Sequence, residues 1–223
     1  MNSLIVISFK QAKQLIAKAI SNKLKNINKR VYISYGSTNQ MILNELGFDN
    51  KKYYNGYIDK KGLHSNKNRD KFVVLNNLDN DIDEVKPDDI IIKGANALAY
   101  ENSNCVAGVA VASQSGGTYG NFILKASCVG AKVLIPVTHE KLVPQILDNQ
   151  YTQNDFKLSM GLNVTLFRFN YGEVYTEIEA IKDLYNLKAK LYLAGDINSQ
   201  GLMTFIVNGK KENIIKIKEF LND

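Results

Sequence analysis

Residues 88–136, DDIIIKGANALAYENSNCVAGVAVASQSGGTYGNFILKASCVGAKVLIP, contain the clearest structural pattern in the chain. Apolar runs at 90–92, 106–112 and 133–136 each end in small or polar residues. Continuous runs of this kind are typical of parallel strands that are covered on both faces. The stretch therefore predicts an α/β fold in which a mostly parallel sheet carries helices on both faces.

The same pattern predicts where a ligand binds. A strand predicted at 30–34 is followed by the polar loop 35–39, and the first two runs are followed by the loops 93–96 and 113–118. Ligands in parallel sheets bind beyond the carboxyl ends of the strands. We therefore expect the three loops to meet at one edge of one sheet.

Length and composition are those of a soluble globular protein that needs no metal to fold. The chain has 223 residues, of which 45% are hydrophobic, enough for one large domain or one of about 150 residues plus a small one. Cys105 and Cys128 lie in apolar surroundings, and their spacing matches no metal motif. We expect two buried, reduced thiols, no metal and no cofactor.

The net charge of +6 comes almost entirely from scattered lysines. A solvated surface explains this pattern better than a nucleic-acid footprint, which clusters its basic residues on one face. A mildly positive field favours a small anionic ligand. Because no apolar run approaches about 18 residues and the first residues lack the features of a signal peptide, we expect a cytoplasmic protein with no membrane partner. A homo-oligomer is left open.

Two patterns lie in the first quarter of the chain. Ser8 and Gln11 form a capping box ahead of an amphipathic helix. After the strand at 30–34, a Gly-Ser-Thr-Asn loop opens a second helix, which Gly47 ends. Its new helix terminus suits an anion, although a plain helix N-cap explains the same residues equally well. The loop residues are Gly36, Ser37, Thr38 and Asn39.

The middle of the chain is less patterned. Residues 49–70 are polar and form either a lid or a surface excursion. Residues 71–75 predict a short strand. After the third apolar run, His139, Glu140 and Lys141 precede a predicted short helix that reaches Asn149.

We place a domain boundary at residue 157, so that a ligand-binding α/β domain covers 1–157 and a small domain covers 158–223. The sequence of the small domain predicts a strand at 163–169, a helix at 174–187 and then two further strands and a helix. This β-α-β-β-α order is that of a ferredoxin-like plait short of one strand. The last three elements are predicted at 191–194, 202–207 and 211–221.

A glycine pair before a helix is the strongest candidate for an anion site. Gly116, Gly117 and Thr118 allow close backbone approach to a phosphate or carboxylate, and tight helix–strand packing is the alternative. The loop fits neither a Walker A motif nor a dinucleotide-binding fingerprint.

Lys93 and Glu140 are the candidate catalytic residues. Lys93 ends a buried strand together with Gly94 and Asn96, where a lysine holds an anion, acts as a base or forms a Schiff base. A structural ion pair is an equally good interpretation. Glu140 lies beside a histidine in a strand-end loop, which suits a general acid or base.

Over residues 30–145 the pattern resembles the superfamily of ribose-5-phosphate isomerase, glucosamine-6-phosphate deaminase, the CoA transferases and the translation-initiation-factor 2B-like proteins. The resemblance rests on the Gly-Ser-Thr loop, the sequence Asp-Ile-Ile-Ile-Lys-Gly-Ala-Asn-Ala and the Gly-Gly-Thr loop. It implies that both loops surround a phosphate or carboxylate. The matching positions are Gly36, Ser37, Thr38, Gly116, Gly117 and Thr118.

The chain also differs from the isomerase at the motif that carries the catalytic acids. The isomerase carries catalytic carboxylates in an Asp-Gly-Ala-Asp-Glu type motif, where this chain has Lys93-Gly94-Ala95-Asn96-Ala97. We therefore expect a protein that binds a small phosphorylated or carboxylated metabolite, such as a sugar phosphate or a CoA ester, at the strand ends. It either transforms this ligand or, as a ligand-sensing or assembly protein, keeps the pocket without the catalytic acids.

Overall fold

A five-stranded sheet with both faces buried lies at the centre of the computed structural model, which describes residues 1–48, 56–65, 72–75, 84–148, 150–195 and 201–222. The strands are β1 (Asn2–Ser8), β2 (Val31–Ser34), β3 (Gly56–Asp59), β4 (Gly62–Ser65), β5 (Phe72–Leu75), β6 (Ile90–Ile92), β7 (Ala97–Glu101), β8 (Asn104–Val111), β9 (Lys132–Pro136), β10 (Thr165–Arg168), β11 (Glu173–Tyr175), β12 (Lys188–Ala194) and β13 (Leu202–Asn208). The helices are α1 (Phe9–Leu24), α2 (Ser37–Glu45), α3 (Leu124–Val129), α4 (Glu177–Tyr185) and α5 (Lys211–Asn222), with a π-helical segment at Tyr119–Ile123 and 3-10 turns at His139–Lys141 and Gln153–Asp155.

The central sheet has the strand order β11-β9-β6-β2-β5. Its first four strands are parallel, and β5 runs antiparallel to β2. Because side chains alternate along a strand, Ile91 and Val133 enter one core whereas Ile92 and Leu134 enter the other. The apolar runs thus form strands that are buried on both faces.

Different layers cover the two faces of this sheet. Helices α1, α2 and α4 pack on one face, and beyond them lies the antiparallel sheet β1-β13-β12. Strands β8 and β10, with the helix that runs from the π-helical segment into α3, cover the other face.

The capping box predicted for α1 is confirmed: Gln11 N–H donates to Ser8 Oγ at 3.2 Å, and Ser8 N–H donates to Gln11 Oε1 at 3.0 Å. No described helix has the length and apolar character that a membrane crossing needs.

The predicted fold class is wrong. Three of the four sheets in the described residues are antiparallel, and the central sheet is mixed. The run at 106–112 is a strand of the antiparallel β7–β8 hairpin, not a parallel strand of the central sheet. Asn102 and Ser103 form the two-residue turn, with φ angles of 48° and 66°, as a type I′ turn requires. One face of the central sheet is therefore covered largely by a second sheet.

The prediction of a C-terminal ferredoxin-like plait is also wrong. Strand β10 pairs with β8, β11 pairs with β9, and β13 pairs with both β1 and β12. The strands after residue 157 therefore complete sheets that begin before it. A plait of its own does not form because β1 (Asn2–Ser8) pairs with β13. The alternating burial of the β1 side chains places its backbone edge where β13 can form hydrogen bonds with it. The division into 1–157 and 158–223 concerns independent folding and stays a prediction.

Three smaller predictions need correction. Cys128 is exposed and Cys105 is partly exposed, so the two thiols are not both buried. Residues 142–148 are not helical. The helix predicted at 174–187 is a strand, β11, followed by α4. Of the segment 49–70, residues 49–55 and 66–70 lie outside the described part of the chain.

Candidate functional site

A cleft of about 400 Å³ lies at the carboxyl ends of β2 and β6. We call it the strand-end cleft. Its lining comes from within residues 35–39, 56–58, 63–65, 93–96 and 109–119, and from Lys141, Leu162 and Val164. The three polar loops predicted to meet each contribute to it, but not from one sheet: the loop at 113–118 follows β8, a strand of the antiparallel sheet β10-β8-β7. Of the predicted binding residues, the lining includes Gly36, Ser37, Thr38, Asn39, Lys93, Gly94, Asn96, Gly117 and Thr118.

The start of α2 forms one wall of the cleft. Gly36 occupies the N-cap position, and no side chain caps the helix. The first turn of α2 carries no acidic residue, so its backbone amides and the positive end of the helix dipole are not neutralised locally. Thr38 is only 3% exposed, and its Oγ1 has no hydrogen-bond partner among the described residues. A buried hydroxyl without a partner is costly, which marks this point as a place for a ligand atom.

Asn39 holds the cleft together. Its side-chain amide donates to the carbonyls of Ser34 at 2.8 Å and Ile92 at 3.3 Å, so it joins the carboxyl ends of β2 and β6. The side chain is buried, and its Oδ1 faces Gly94, where a Cβ would lie 4.0 Å from it. Its amide nitrogen thus positions the two loops that line the cleft, and ligand binding by Asn39, which is itself part of the lining, stays a prediction.

Two lysines supply the charge of the cleft. In the described part of the chain, the Lys93 amine has one hydrogen-bond contact, the Gly94 carbonyl at 3.4 Å. Lys141 Nζ donates to the Ala95 carbonyl at 2.6 Å. Burial, and then the positive charge of Lys141, lower the pKa of Lys93 to about 8. Burial also lowers the pKa of Lys141 to about 8, with Lys13 acting in the same direction and Glu140 in the opposite one.

Neither amine forms an ion pair within the described residues. The structural ion pair that was the alternative for Lys93 is therefore not seen there. The described lining also contains no Asp or Glu. Asn96 Oδ1 accepts from the Ala110 amide at 3.0 Å, which fixes the loop that carries Lys93 against β8. The result is a cationic cleft lined otherwise by hydroxyl, amide and apolar groups.

The Gly116–Thr118 loop faces the cleft from another side. Gly117 has φ +55° and Gly116 has φ +77°, so both glycines serve the backbone of the turn. Gly116 is not in the lining; its amide donates to the Ser113 carbonyl at 3.0 Å, and a Cβ there would come within 3.0 Å of Gly120. The helix that follows begins as a π-helical segment. Anion binding by this loop stays a prediction.

Glu140 does not line the cleft. Its carboxylate lies 2.6 Å from Lys13 Nζ on α1 and accepts from Thr138 Oγ1 at 3.3 Å. The 3-10 turn at His139–Lys141 directs successive side chains to different sides, so Lys141 rather than Glu140 reaches the loop after β6. Sequence reasoning missed Lys141, although it stands in the strand-end loop that was singled out.

The β3–β4 hairpin also contributes to the lining of the cleft. Its rings Tyr57 and His64 stack with centroids 4.9 Å apart, and His64 Nε2 lies 2.8 Å from Asp59 Oδ1. Leu63 anchors the hairpin: its N–H donates to the Met160 carbonyl at 3.1 Å, and its carbonyl accepts from Leu162 N–H at 2.8 Å. From the sequence, residues 49–70 were identified only as a polar segment, and their contact with residues 160–162 was not predicted.

A second polar cluster lies outside the described cleft lining. Tyr100 Oη and His139 Nε2 are 2.7 Å apart. His139 N–H donates to the Glu177 carboxylate at 3.1 Å, and the ring Nδ1 lies 3.2 Å from the same carboxylate without hydrogen-bond geometry. Both the His139 and Glu177 side chains are fully buried. Burial raises the pKa of Tyr100, which favours the protonated phenol.

Comparison of the chain with protein-family models, with curated proteins and with solved structures found no match. The resemblance to the sugar-phosphate isomerase and CoA-transferase superfamily therefore stays a prediction. Within the described residues, no group of three or more His, Cys, Asp or Glu side chains is placed to hold a metal ion. The chemistry of the cleft thus rests on its two lysines and on the start of α2.

Proposed function

We propose that the protein binds a small phosphorylated or carboxylated metabolite in the strand-end cleft, with the anionic group at the start of α2. The charge balance of the cleft carries this proposal. Lys93 and Lys141 both line it, and its described lining contains no Asp or Glu. A helix N-terminus without a cap adds amide donors and a positive dipole end to the same cavity. Each of these features favours a negative ligand.

The size of the cleft narrows the ligand class. Small-molecule sites have volumes of about 300–1,000 Å³, and this cleft, at about 400 Å³, lies near the lower limit. A sugar phosphate or a small carboxylic acid fits such a space, whereas a whole CoA ester extends well beyond it. We therefore propose the smaller of the two ligand types that the sequence predicted.

Ser37→Glu tests the position of the anion. Ser37 is exposed in the first turn of α2, so a carboxylate there interacts favourably with the helix dipole and adds about 0.5 kcal/mol to the free energy of unfolding. The same carboxylate repels a bound phosphate, and we expect at least about tenfold weaker binding of glycerol 3-phosphate. Titration calorimetry measures the affinity, and thermal unfolding measures the stability.

Ser37→Gln is the matched control, because it has the length of Glu without its charge. We expect Ser37→Gln to bind nearly as well as the original protein. Affinity should also fall as pH rises through about 8, since both lysines lose their charge there. Equal affinity in Ser37→Glu and Ser37→Gln would place the anion elsewhere.

Ligand sensing without chemistry is the second candidate function. The lack of Asp and Glu in the described lining favours it, because the catalytic acids of the isomerase that the sequence resembles are carboxylates. A sensor of this kind binds the same anion and releases it unchanged. Incubating the protein with a bound sugar phosphate and analysing the recovered ligand by mass spectrometry separates the two functions.

A further inference from the structure

Lys93 differs from other lysines of the described chain in its surroundings. It follows the buried strand β6 and lines the strand-end cleft. In the described part of the chain its amine has a single, long contact, the Gly94 carbonyl at 3.4 Å. The next residue, Gly94, has no side chain that would separate this loop from the start of α2. Lys93 therefore belongs to the wall of the cavity proposed to hold the anion.

Lys141 lies beside Lys93 and carries a positive charge below about pH 8. Its amine donates to the Ala95 carbonyl at 2.6 Å, which lies in the same loop as Lys93. The other titratable groups of the described lining are His64, on the β3–β4 hairpin, and three tyrosines. The tyrosines are Tyr35, Tyr57 and Tyr119. None of these groups is a carboxylate that would hold Lys93 in its charged form.

From this arrangement we infer that Lys93 is a covalent site for carbonyl ligands: its amine condenses with the aldehyde or ketone of an anionic metabolite, while the phosphate or carboxylate of that metabolite lies at the start of α2. This inference rests on the proposed function and adds the substrate class to it. The cleft then selects a ligand that carries both a carbonyl group and a negative charge.

The chemical step needs no further reactant. The neutral Nζ attacks the carbonyl carbon with its lone pair and forms a carbinolamine. The carbonyl oxygen then leaves as water and takes with it the two N–H hydrogens of the amine, so that a carbon–nitrogen double bond remains. Atoms and electrons balance, and no oxidant or reductant takes part.

The acidity of Lys93 supports this step. With a pKa of about 8, roughly a tenth of the amine is neutral at pH 7, whereas an ordinary lysine near pKa 10.5 has about one part in three thousand. The supply of nucleophile is thus about 300-fold larger at neutral pH. Enough protonated lysine remains at the same pH to attract the anion.

Reductive trapping on the intact protein tests the inference. The protein is incubated at pH 7.5 with dihydroxyacetone phosphate, glyceraldehyde 3-phosphate or pyruvate in the presence of cyanoborohydride, which reduces an imine to a stable amine. Peptide mass mapping then locates the adduct. We expect one adduct per chain, on Lys93, formed at least about 100-fold faster than on Lys132, an exposed lysine at the start of β9. Lys132→Arg should trap normally, and Lys93→Arg should not trap at this position.

Glycerol 3-phosphate separates the possible failures, because it carries the phosphate of dihydroxyacetone phosphate without its ketone. Binding of glycerol 3-phosphate with no Lys93 adduct from any of the three carbonyl compounds overturns the inference and leaves the proposed function standing. No binding of glycerol 3-phosphate and no adduct overturns both. Adducts spread over exposed lysines at similar rates also overturn the inference.

The pH profile provides an independent readout that packing alone would not move. With dihydroxyacetone phosphate kept saturating at every pH, we expect the rate of imine formation at Lys93 to rise between pH 7 and 9 with its midpoint near 8. Lys141→Met removes the neighbouring charge, which should shift that midpoint upward. A midpoint near 10.5 in the original protein, or one unmoved by Lys141→Met, contradicts the arrangement.

Discussion

Thr38 is a buried polar residue at the start of α2 whose hydroxyl gains no hydrogen bond from the described protein atoms. Thr38→Val keeps the shape of the side chain and removes the hydroxyl. An unsatisfied buried polar group costs about 1–3 kcal/mol, so we expect Thr38→Val to unfold at a higher temperature, with a gain of about 1 kcal/mol, and to bind glycerol 3-phosphate more weakly.

Thr38→Ser is the control for this change, since it keeps the hydroxyl and loses the methyl group. We expect it to retain affinity and to lose stability. Thermal unfolding and titration calorimetry on the three proteins provide both quantities. A folded Thr38→Val protein whose affinity matches the original would remove Thr38 from the binding site.

Single residues also show where sequence reasoning was sufficient and where it failed. Ser37, Thr38 and Lys93 were correctly predicted to lie at the cleft, because each follows an apolar run and the sequence alone contains that pattern. The φ angle of Gly117, +55°, depends on the turn that the folded chain makes. Because any side chain at this φ brings strain of its own, a substitution of Gly117 would change the backbone of the turn as well as any anion binding.

Among the elements, the strands of the central sheet were the easiest to predict. β2, β6 and β9 are short apolar runs, and their burial on both faces leaves a distinct signal. The β7–β8 hairpin was missed because its turn, Asn102-Ser103, contains no glycine, although Asn-Gly is the usual signature of such turns. Pairing between distant strands leaves no local signal, so β1 with β13 was missed as well.

The docking of the β3–β4 hairpin depends on close backbone contact. At Gly161, a Cβ would overlap the backbone of Leu63, and Gly161 has φ +80°. We expect Gly161→Ala to separate the hairpin from residues 160–162 while the central sheet stays folded. Hydrogen exchange at residues 56–65 should become faster, and binding of glycerol 3-phosphate should weaken, because the hairpin forms one wall of the cleft.

Gly130→Ala is a matched control for this substitution. Gly130 has nearly the same backbone angle, φ +76°, but no atom lies within 4 Å of an added Cβ. Both changes therefore carry the left-handed backbone penalty of about 1–2 kcal/mol, and only Gly161→Ala adds the overlap with Leu63. Similar exchange rates at residues 56–65 in the two variants would show that close contact does not hold the hairpin.

The topology of the chain has a consequence for how it folds. Three strand pairings cross residue 157, namely β1 with β13, β8 with β10 and β9 with β11. Of the 25 buried residues in the larger core, nine lie after residue 157. They include Tyr175, Phe205 and Ile217, which belong to the same core as Ile5 and Ile7 from the first strand. Each half of the chain therefore buries apolar surface that the other half needs.

From this we expect the fragment 1–157 not to fold when it is produced alone. Seven of the nine are Ile, Leu, Met, Phe or Val, and burying each such side chain contributes about 1.5–3 kcal/mol. Their total, about 10–20 kcal/mol, is comparable to the whole net stability of about 5–15 kcal/mol that a folded domain has. The fragment should show no cooperative thermal transition, and co-production with 158–223 as a second chain should restore one. The full chain is the reference. A sharp transition in 1–157 alone would show instead that the boundary predicted from the sequence separates two independent folding units, and that the crossing strands add only peripheral stability.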